Sequence, residues 1–119
     1  MRRILIVDDE PNIVMSLEYI FKKENFEVFI ARDGEEAIQI AEDKLPDVIL
    51  LDIMMPNVDG YQVLKHLKND SKLEDIKVIF LSAKNKVSDI ELGLQLGADK
   101  YVSKPFSIKK LVKEVKQLL

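Results

Sequence analysis

The sequence predicts an α/β fold in which helices cover both faces of a doubly wound parallel sheet. Short apolar runs rich in β-branched residues alternate five times with helical patterns along the 119 residues, as successive βα units do. The runs are apolar at consecutive positions, which is typical of strands buried on both faces. The chain has no cysteine and no apolar stretch near the roughly 18 residues that span a membrane. We therefore expect one cytoplasmic domain covering residues 1–119.

The first half of the chain supplies three predicted strands and two predicted helices. The strands are Arg3–Val7, Phe26–Ala31 and Val48–Leu51. Pro11 suits the first turn of the helix between the first two strands, and this helix is predicted to end near Asn25. Asp33, followed three residues later by Glu36, resembles a capping box and marks the start of the second helix.

The second half continues the alternation. Its three helices and two strands are predicted over Tyr61–Lys68, Ile76–Leu81, Val87–Leu96, Lys100–Val102 and the residues after Ser107. Gly97 ends the fourth helix, and Ser107 caps the fifth. Five parallel strands joined in this way fit a flavodoxin-like (βα)5 fold with strand order 2-1-3-4-5, whose switch point lies between the first and third strands.

Polar residues follow four of the predicted strands, at the edge where ligands bind in such sheets. They are Asp8, Asp9 and Glu10 after the first strand, Asp52 after the third, Ser82 after the fourth and Lys104 after the fifth. Carboxylates that share a cleft repel one another unless one is protonated or a cation joins them. Without cysteine, and with His66 remote in sequence, oxygen ligands remain, and these suit Mg²⁺. With a lysine, a hydroxyl and an aspartate that can act as a covalent acceptor, the edge is predicted to be a phosphoryl site.

Several segments carry a resemblance to a known family. They are Ile6–Pro11, Asp47–Pro56 with Asp59 and Gly60, Leu81–Ala83, Gly97–Asp99 and Tyr101–Phe106. In this order and spacing they resemble the response-regulator receiver domains of two-component signalling, including the chemotaxis receivers. The resemblance covers essentially the whole chain, and the segments are specific together although each is weak alone.

The resemblance implies how the acidic residues act. Asp52 is expected to accept a phosphoryl group from a histidine kinase, a histidine phosphotransfer protein or a small phosphodonor. Asp9, Asp52 and the backbone carbonyl of Met54 are expected to ligate Mg²⁺, with Mn²⁺ as a substitute, and Asp8 to act through a metal-bound water. The chain is then a regulatory phosphoacceptor that assists its own phosphorylation and dephosphorylation, rather than an enzyme.

The resemblance also implies a switch. Ser82 and Lys104 are expected to contact the phosphoryl oxygens, and the Lys104–Pro105 bond is expected to be cis. Ser82 then moves toward the phosphoryl group and Tyr101 turns inward, which changes the surface of the fourth helix, fifth strand and fifth helix. That surface is expected to control a partner, an effector or a C-terminal output domain, and is a possible dimer interface.

Two further expectations concern the kinase and the lifetime of the phosphoryl group. Met15, Ser16 and Tyr19 lie off the core face of the first helix and are expected to dock the kinase. Met54 and Lys84 follow Asp52 and Ser82 by two residues, at positions that influence the phosphoryl lifetime in the resembled family. Because a methionine cannot position water by hydrogen bonding, we expect slow dephosphorylation.

Other residues suggest functions that the sequence does not favour. His66 lies between lysines on a predicted helix and is interpreted as an ordinary exposed residue. The formal net charge is −3, and most acidic residues precede Gly60, which argues against nucleic acid as a ligand of that half. The lysines of the last helix lack aromatic interleaving and are interpreted as a solvated face. They are Lys109, Lys110, Lys113 and Lys116.

Three competing functions remain as alternatives. A flavin-binding protein of the same architecture would need a hydroxyl- or glycine-rich phosphate loop where this chain has Asp8, Asp9 and Glu10. A phosphatase with an aspartyl nucleophile usually has a second aspartate where this chain has Met54. A phosphorylation-independent interaction module would lack an acidic residue or the lysine, and this chain retains both kinds.

Overall fold

A computed structural model of the chain describes residues 1–55, 57–83 and 86–119. Pro56 of the matched segments and Lys84, which is expected to influence the phosphoryl lifetime, lie outside the described residues. Within the described ranges, no helix has the length and apolar character needed to cross a membrane.

Five strands and five helices alternate along the chain. The elements are β1 Arg3–Val7, α1 Pro11–Lys23, β2 Glu27–Ala31, α2 Gly34–Lys44, β3 Val48–Asp52, α3 Gly60–Lys68, β4 Lys77–Ser82, α4 Val87–Gln95, β5 Lys100–Ser103 and α5 Ile108–Leu118. The strands form one parallel sheet in the order β2-β1-β3-β4-β5. The predicted fold and strand order are confirmed, and the element boundaries agree within two residues.

The sheet has a separate hydrophobic core on each face, because successive side chains of a strand point to opposite sides. Ile4 and Ile6 face the side covered by α1 and α5, where Leu17 and Leu111 are also buried. The intervening Leu5 joins the core under α2 and α3 on the other side. Strands buried on both faces leave only their ends for polar side chains, which fixes the place of the functional site.

Helices α2, α3 and α5 begin at side-chain caps, and the cap of α2 differs from the prediction. Asp33 Oδ1 accepts a hydrogen bond from Glu36 N at 2.9 Å, but α2 lacks the return bond of a full capping box. Glu36 is exposed, so water can solvate its carboxylate instead. The complete capping box is at α3, where Asp59 and Gln62 bond each other's backbone at 3.0 and 2.9 Å.

Gly60 allows α3 to start directly against the end of β3. A Cβ atom at Gly60 would lie 2.7 Å from the Asp52 carbonyl oxygen and 2.7 Å from Ile53 Cα. The Gly60 backbone N–H also donates to the Ile53 carbonyl at 3.0 Å. The loop after Asp52 is therefore held closely by the first residue of the next helix.

Candidate functional site

The structure brings four predicted site residues to the carboxyl edge of the sheet. Asp8 follows β1, Asp52 and Ser82 end β3 and β4, and Lys104 follows β5. Val7 is in register with Leu51 in the adjacent strand, so Asp8 and Asp52 emerge side by side. The edge combines two buried carboxylates, a buried hydroxyl and one ammonium group.

Three carboxylates cluster at this edge. One oxygen from each of Asp8, Asp9 and Asp52 lies within 4.8 Å of the others. Asp8 and Asp52 are 0% and 4% exposed, whereas Asp9 is exposed. The cluster therefore opens to solvent on the side of Asp9.

Lys104 reaches into the cluster from the loop after β5. Its Nζ lies 3.0 Å from Asp8 Oδ2 and 3.7 Å from Asp52 Oδ1. Its backbone N–H donates to the Ser82 carbonyl at 2.7 Å, which ties this loop to the end of β4. The Lys104–Pro105 bond is cis, as predicted.

The surroundings of Asp52 favour its protonated form. Burial, followed by the nearby charge of Asp8, raises the pKa of Asp52 from 3.8 to about 6. Lys104 and the hydrogen bond from Met54 N act in the opposite direction, with the Met54 N–H donating to Asp52 Oδ1 at 3.3 Å. Burial and the charge of Asp8 outweigh the effects of Lys104 and the Met54 N–H. The negative charge of the ionised Asp52 carboxylate is therefore only partly balanced, which suits it to bind a further cation.

Lys104 stays protonated at neutral pH. Burial alone would lower the pKa of its ammonium group, but the hydrogen bond to Asp8 and the charges of Asp52 and Asp8 raise that pKa overall. A permanent positive charge therefore lies beside Asp52, where an anionic group attached to that carboxylate would meet it.

The acidic edge fits a small, hard cation. All of its donors are carboxylate oxygens, which Mg²⁺ prefers, and the opening beside Asp9 leaves room for water or phosphate oxygens. Asp8 Oδ2 is buried and, although paired with the Lys104 charge, accepts no hydrogen bond of ordinary geometry from the described residues. A buried carboxylate oxygen with spare acceptor capacity is consistent with an additional partner such as a metal-bound water.

The predicted switch residues lie next to this edge. Ser82 is fully buried, and its side chain shares a hydrogen bond with Tyr101. Burial raises the pKa of Tyr101, the bond to Ser82 lowers it, and Asp89 raises it. The Tyr101 ring packs edge-on against Phe80, with centroids 6.1 Å apart. The two residues that are expected to move are thus in contact with each other.

The remaining predicted residues lie on the surface. Met15, Ser16 and Tyr19 are exposed on α1, as expected, and Met54 is 58% exposed beside the site. His66 is also exposed, as expected, with its Nε2 3.1 Å from Glu42 Oε1.

One contact at this site could not be expected from the sequence. Glu10 Oε1 accepts a hydrogen bond from Lys104 Nζ at 3.2 Å, although 94 residues separate the two along the chain. Glu10 was placed in the acidic run after the first strand without a role of its own. The feature of the sequence that agrees with this contact is the length of the Glu10 side chain, because a residue two positions after Asp8 needs a long side chain to reach the same lysine.

We predict that ionisation of Asp52 destabilises the metal-free fold. The folded protein binds the Asp52 proton more tightly than the unfolded chain, so the stability contributed by this group is lost as the pH rises from about 4 to about 6. Relative to wild type, Asp52→Asn should gain on the order of 2 kcal/mol in free energy of unfolding across this range. Urea unfolding in a chelator at several pH values measures the difference.

Asp75→Asn is the matched control, because Asp75 is exposed just before β4, at the opposite edge of the sheet. Its free energy of unfolding should follow that of wild type at every pH. A gap between Asp52→Asn and wild type that does not change between pH 4 and pH 7 would contradict the prediction.

Comparisons with known proteins agree with this architecture. The model of the response regulator receiver domain family matches residues 4–116. The chain is 42% identical over 118 residues to the alkaline phosphatase synthesis transcriptional regulatory protein PhoP of Bacillus subtilis, covering 99% of this chain and 48% of that protein. It therefore spans about half the length of this curated relative.

Solved structures show the same fold over nearly the whole chain. The receiver domain of the Francisella response regulator 1452 is 34% identical with a TM-score of 0.92, and the alignment covers 99% of this chain and 96% of that one. The chemotaxis protein CheY4 of Vibrio cholerae is 28% identical with a TM-score of 0.93, with coverage of 100% and 99%.

The family model, the identity to a full-length regulator and the shared fold lead to one assignment. Receivers of this kind are regulatory, are phosphorylated on an aspartate and typically bind Mg²⁺, which agrees with the acidic edge found here. The chain belongs to the response regulator receiver domain family of two-component signalling.

Proposed function

We propose that residues 1–119 act as a single receiver domain whose Asp52 accepts the phosphoryl group. The main support is the arrangement at Asp52, a buried carboxylate that belongs to the acidic cluster and lies 3.7 Å from Lys104 Nζ. Asp8 is also buried, but its Oδ1 accepts the Glu10 backbone N–H at 2.9 Å and its Oδ2 faces Lys104. Asp8 therefore already faces a backbone N–H and, at 3.0 Å, the lysine, which favours Asp52 as the acceptor.

The transfer is a displacement at phosphorus. An Asp52 carboxylate oxygen forms a bond to phosphorus, and the bond from phosphorus to the donor breaks, with the electron pair leaving on the histidine nitrogen or on an acyl oxygen. Lys104 supplies a positive charge to the phosphoryl oxygens and Ser82 supplies a hydroxyl donor. The chain contributes positioning and charge, and the phosphoryl group itself comes from the donor.

The acidic edge supports Mg²⁺ as the cofactor, with Mn²⁺ as a substitute. Asp9, Asp52 and the backbone carbonyl of Met54 would hold the ion directly, and Asp8 would act through a bound water. When bound, the ion neutralises charge on the phosphoryl oxygens during transfer. The raised pKa of Asp52 supports this assignment, since a nearby cation favours the ionised carboxylate that the transfer requires.

We propose that phosphorylation of Asp52 changes the surface formed by α4, β5 and α5. Support comes from the hydrogen bond between Ser82 and Tyr101 and from the packing of Tyr101 beneath α4. A cleft of about 720 Å³ between these elements includes Tyr101 in its lining. A shift of Ser82 toward the phosphoryl group would change the surroundings of Tyr101 and hence this surface.

The proposed acceptor role of Asp52 and the proposed output surface imply two kinds of partner. A sensor histidine kinase or histidine phosphotransfer protein supplies the phosphoryl group, and the α4–β5–α5 surface controls an effector, an output domain or a second copy of the chain. Support for an output domain is the PhoP relative, a transcriptional regulatory protein of which this chain matches about half.

Kinase docking is assigned to the exposed residues of α1. Ser16 lines a cleft of about 550 Å³ that also includes Glu10, Lys104 and Phe106. Met15 and Tyr19 lie on the same helix and are 67% and 66% exposed. Exposed apolar side chains beside the phosphoryl site suit a protein that must approach Asp52 closely.

We predict that acetyl phosphate with Mg²⁺ adds one phosphoryl group to the wild-type protein and none to Asp52→Asn. Intact mass spectrometry measures the addition, with Asp75→Asn as the control that should label like wild type. Amide signals of α4, β5 and α5 should shift on phosphorylation of wild type only. Equal labelling of wild type and Asp52→Asn would refute the assignment of Asp52.

We predict that the phosphoryl group on Asp52 is lost slowly, with a half-life on the order of minutes to hours. Met54 is exposed beside the site, and its thioether is too weak a hydrogen-bonding group to orient an attacking water. Met54→Gln introduces an amide that can orient water and should shorten the half-life several-fold. Decay of the phosphorylated mass after donor removal measures it, and a wild-type half-life of a few seconds would contradict the prediction.

We predict that exchanging Met15, Ser16 and Tyr19 together changes which kinase phosphorylates the protein. Labelling by acetyl phosphate should stay at the wild-type rate, because these side chains lie outside the acidic cluster. Phosphotransfer profiling against several purified kinases measures the preference. An unchanged kinase preference of the triple variant would refute docking through these residues.

A further inference from the structure

Three carboxylates surround the Lys104 ammonium group, and they differ sharply in exposure. Nζ lies 3.0 Å from Asp8 Oδ2, 3.2 Å from Glu10 Oε1 and 3.7 Å from Asp52 Oδ1. The side chains of Asp8 and Asp52 are 0% and 5% exposed, whereas that of Glu10 is 59% exposed. Glu10 therefore holds the lysine from the solvent side.

The two buried partners are fixed by further contacts, and Glu10 is the partner that can leave. Asp8 Oδ1 accepts the Glu10 backbone N–H at 2.9 Å, and Asp52 Oδ1 accepts the Met54 N–H at 3.3 Å. The Glu10 carboxylate is in contact with water and loses little when its exposed ion pair separates. Asp52 Oδ1 lies beyond hydrogen-bond distance of Nζ, so the near partners of the ammonium group are Asp8 and Glu10. A phosphoryl oxygen that engages Lys104 competes with these two carboxylates, and separation of Glu10 leaves no buried charge unpaired.

We propose that Glu10 is a positioning residue that holds Lys104 at the mouth of the site and is displaced by the incoming phosphoryl group. The proposal rests on the proposed phosphorylation of Asp52 and goes beyond it by naming what the donor must displace. It makes Glu10 a determinant of donor affinity. The phosphoryl group of a small anionic donor must replace the Glu10 carboxylate at Lys104. The negative charge of Glu10 also repels the donor as it approaches.

The effect is expected in donor affinity rather than in the rate of transfer. Glu10 is displaced before phosphorus reaches Asp52, so it opposes binding of the donor and is absent from the transferring complex. In the test reaction an Asp52 oxygen bonds to phosphorus, the bond from phosphorus to the acetyl oxygen breaks, and acetate leaves with the electron pair. An exposed contact of this kind corresponds to about a two- to fivefold change in half-saturating donor concentration.

The experiment compares phosphorylation rates over a range of acetyl phosphate concentrations at saturating Mg²⁺. Glu10→Gln should lower the half-saturating concentration two- to fivefold and leave the maximal rate within about twofold of wild type. Glu10→Asp retains the charge but is one methylene shorter and loses the reach to Nζ, so it should resemble Glu10→Gln. Glu74→Gln is the control, because Glu74 is exposed just before β4, at the opposite edge of the sheet, and should match wild type.

A second measurement needs neither metal nor donor. In chelator, the side-chain ¹³Cε and ¹H signals of Lys104 should shift in Glu10→Gln and Glu10→Asp and stay in place in Glu74→Gln. Failure of wild type to be labelled would remove the proposed function and the role of Glu10 with it. Normal labelling with unchanged Lys104 signals in Glu10→Gln, or a Glu10→Asp half-saturation equal to wild type, would overturn the role of Glu10 alone.

Discussion

The partly buried ammonium group of Lys104 is the charge on which the carboxyl edge of the sheet depends. It lies 3.0 Å from a fully buried carboxylate and 3.7 Å from a second that is nearly as buried. At an effective dielectric constant of about 20, opposite charges 4 Å apart attract by about 4 kcal/mol, which is comparable with the cost of burying one of them. One positive charge compensates the cluster in part, and burial together with the charge of Asp8 still raises the pKa of Asp52.

The fold places this charge cluster at the carboxyl ends of the strands. The strands are apolar on both faces and feed two separate cores, so a carboxylate within a strand would be buried without a partner. At the ends of β3 and β4, backbone groups complete the site: Ser82 accepts the Lys104 N–H, and Gly60 packs on the Asp52 carbonyl. The hydrophobic pattern of the strands thus determines the position of the polar site.

The same pattern explains how much of the molecule could be predicted from its sequence. The apolar run of the third strand ends at Asp52, the proposed acceptor, and the parallel order then sets Asp8 beside it. The contact between Glu10 and Lys104 could not be predicted, because it depends on side-chain reach between loops 94 residues apart. The pKa of Asp52 depends on its burial and on the charges and backbone N–H around it, which periodicity does not report. The capping box at Asp59 and Gln62, in contrast, is visible in the sequence as an Asp-x-x-Gln spacing.

Close packing connects the charged site to the outer surface. Ser82 shares a hydrogen bond with Tyr101, whose ring lies against Phe80. Above both rings, a Cβ atom at Gly93 of α4 would lie 3.0 Å from Phe80 and 3.1 Å from Tyr101, so helix and rings are already in contact. An interior packed this tightly cannot absorb a side-chain shift by compression, and it responds by changing from one arrangement to another. On the proposed phosphorylation of Asp52, a shift of Ser82 would act on α4 through its hydrogen bond to Tyr101 and through the close packing of Tyr101 on Gly93.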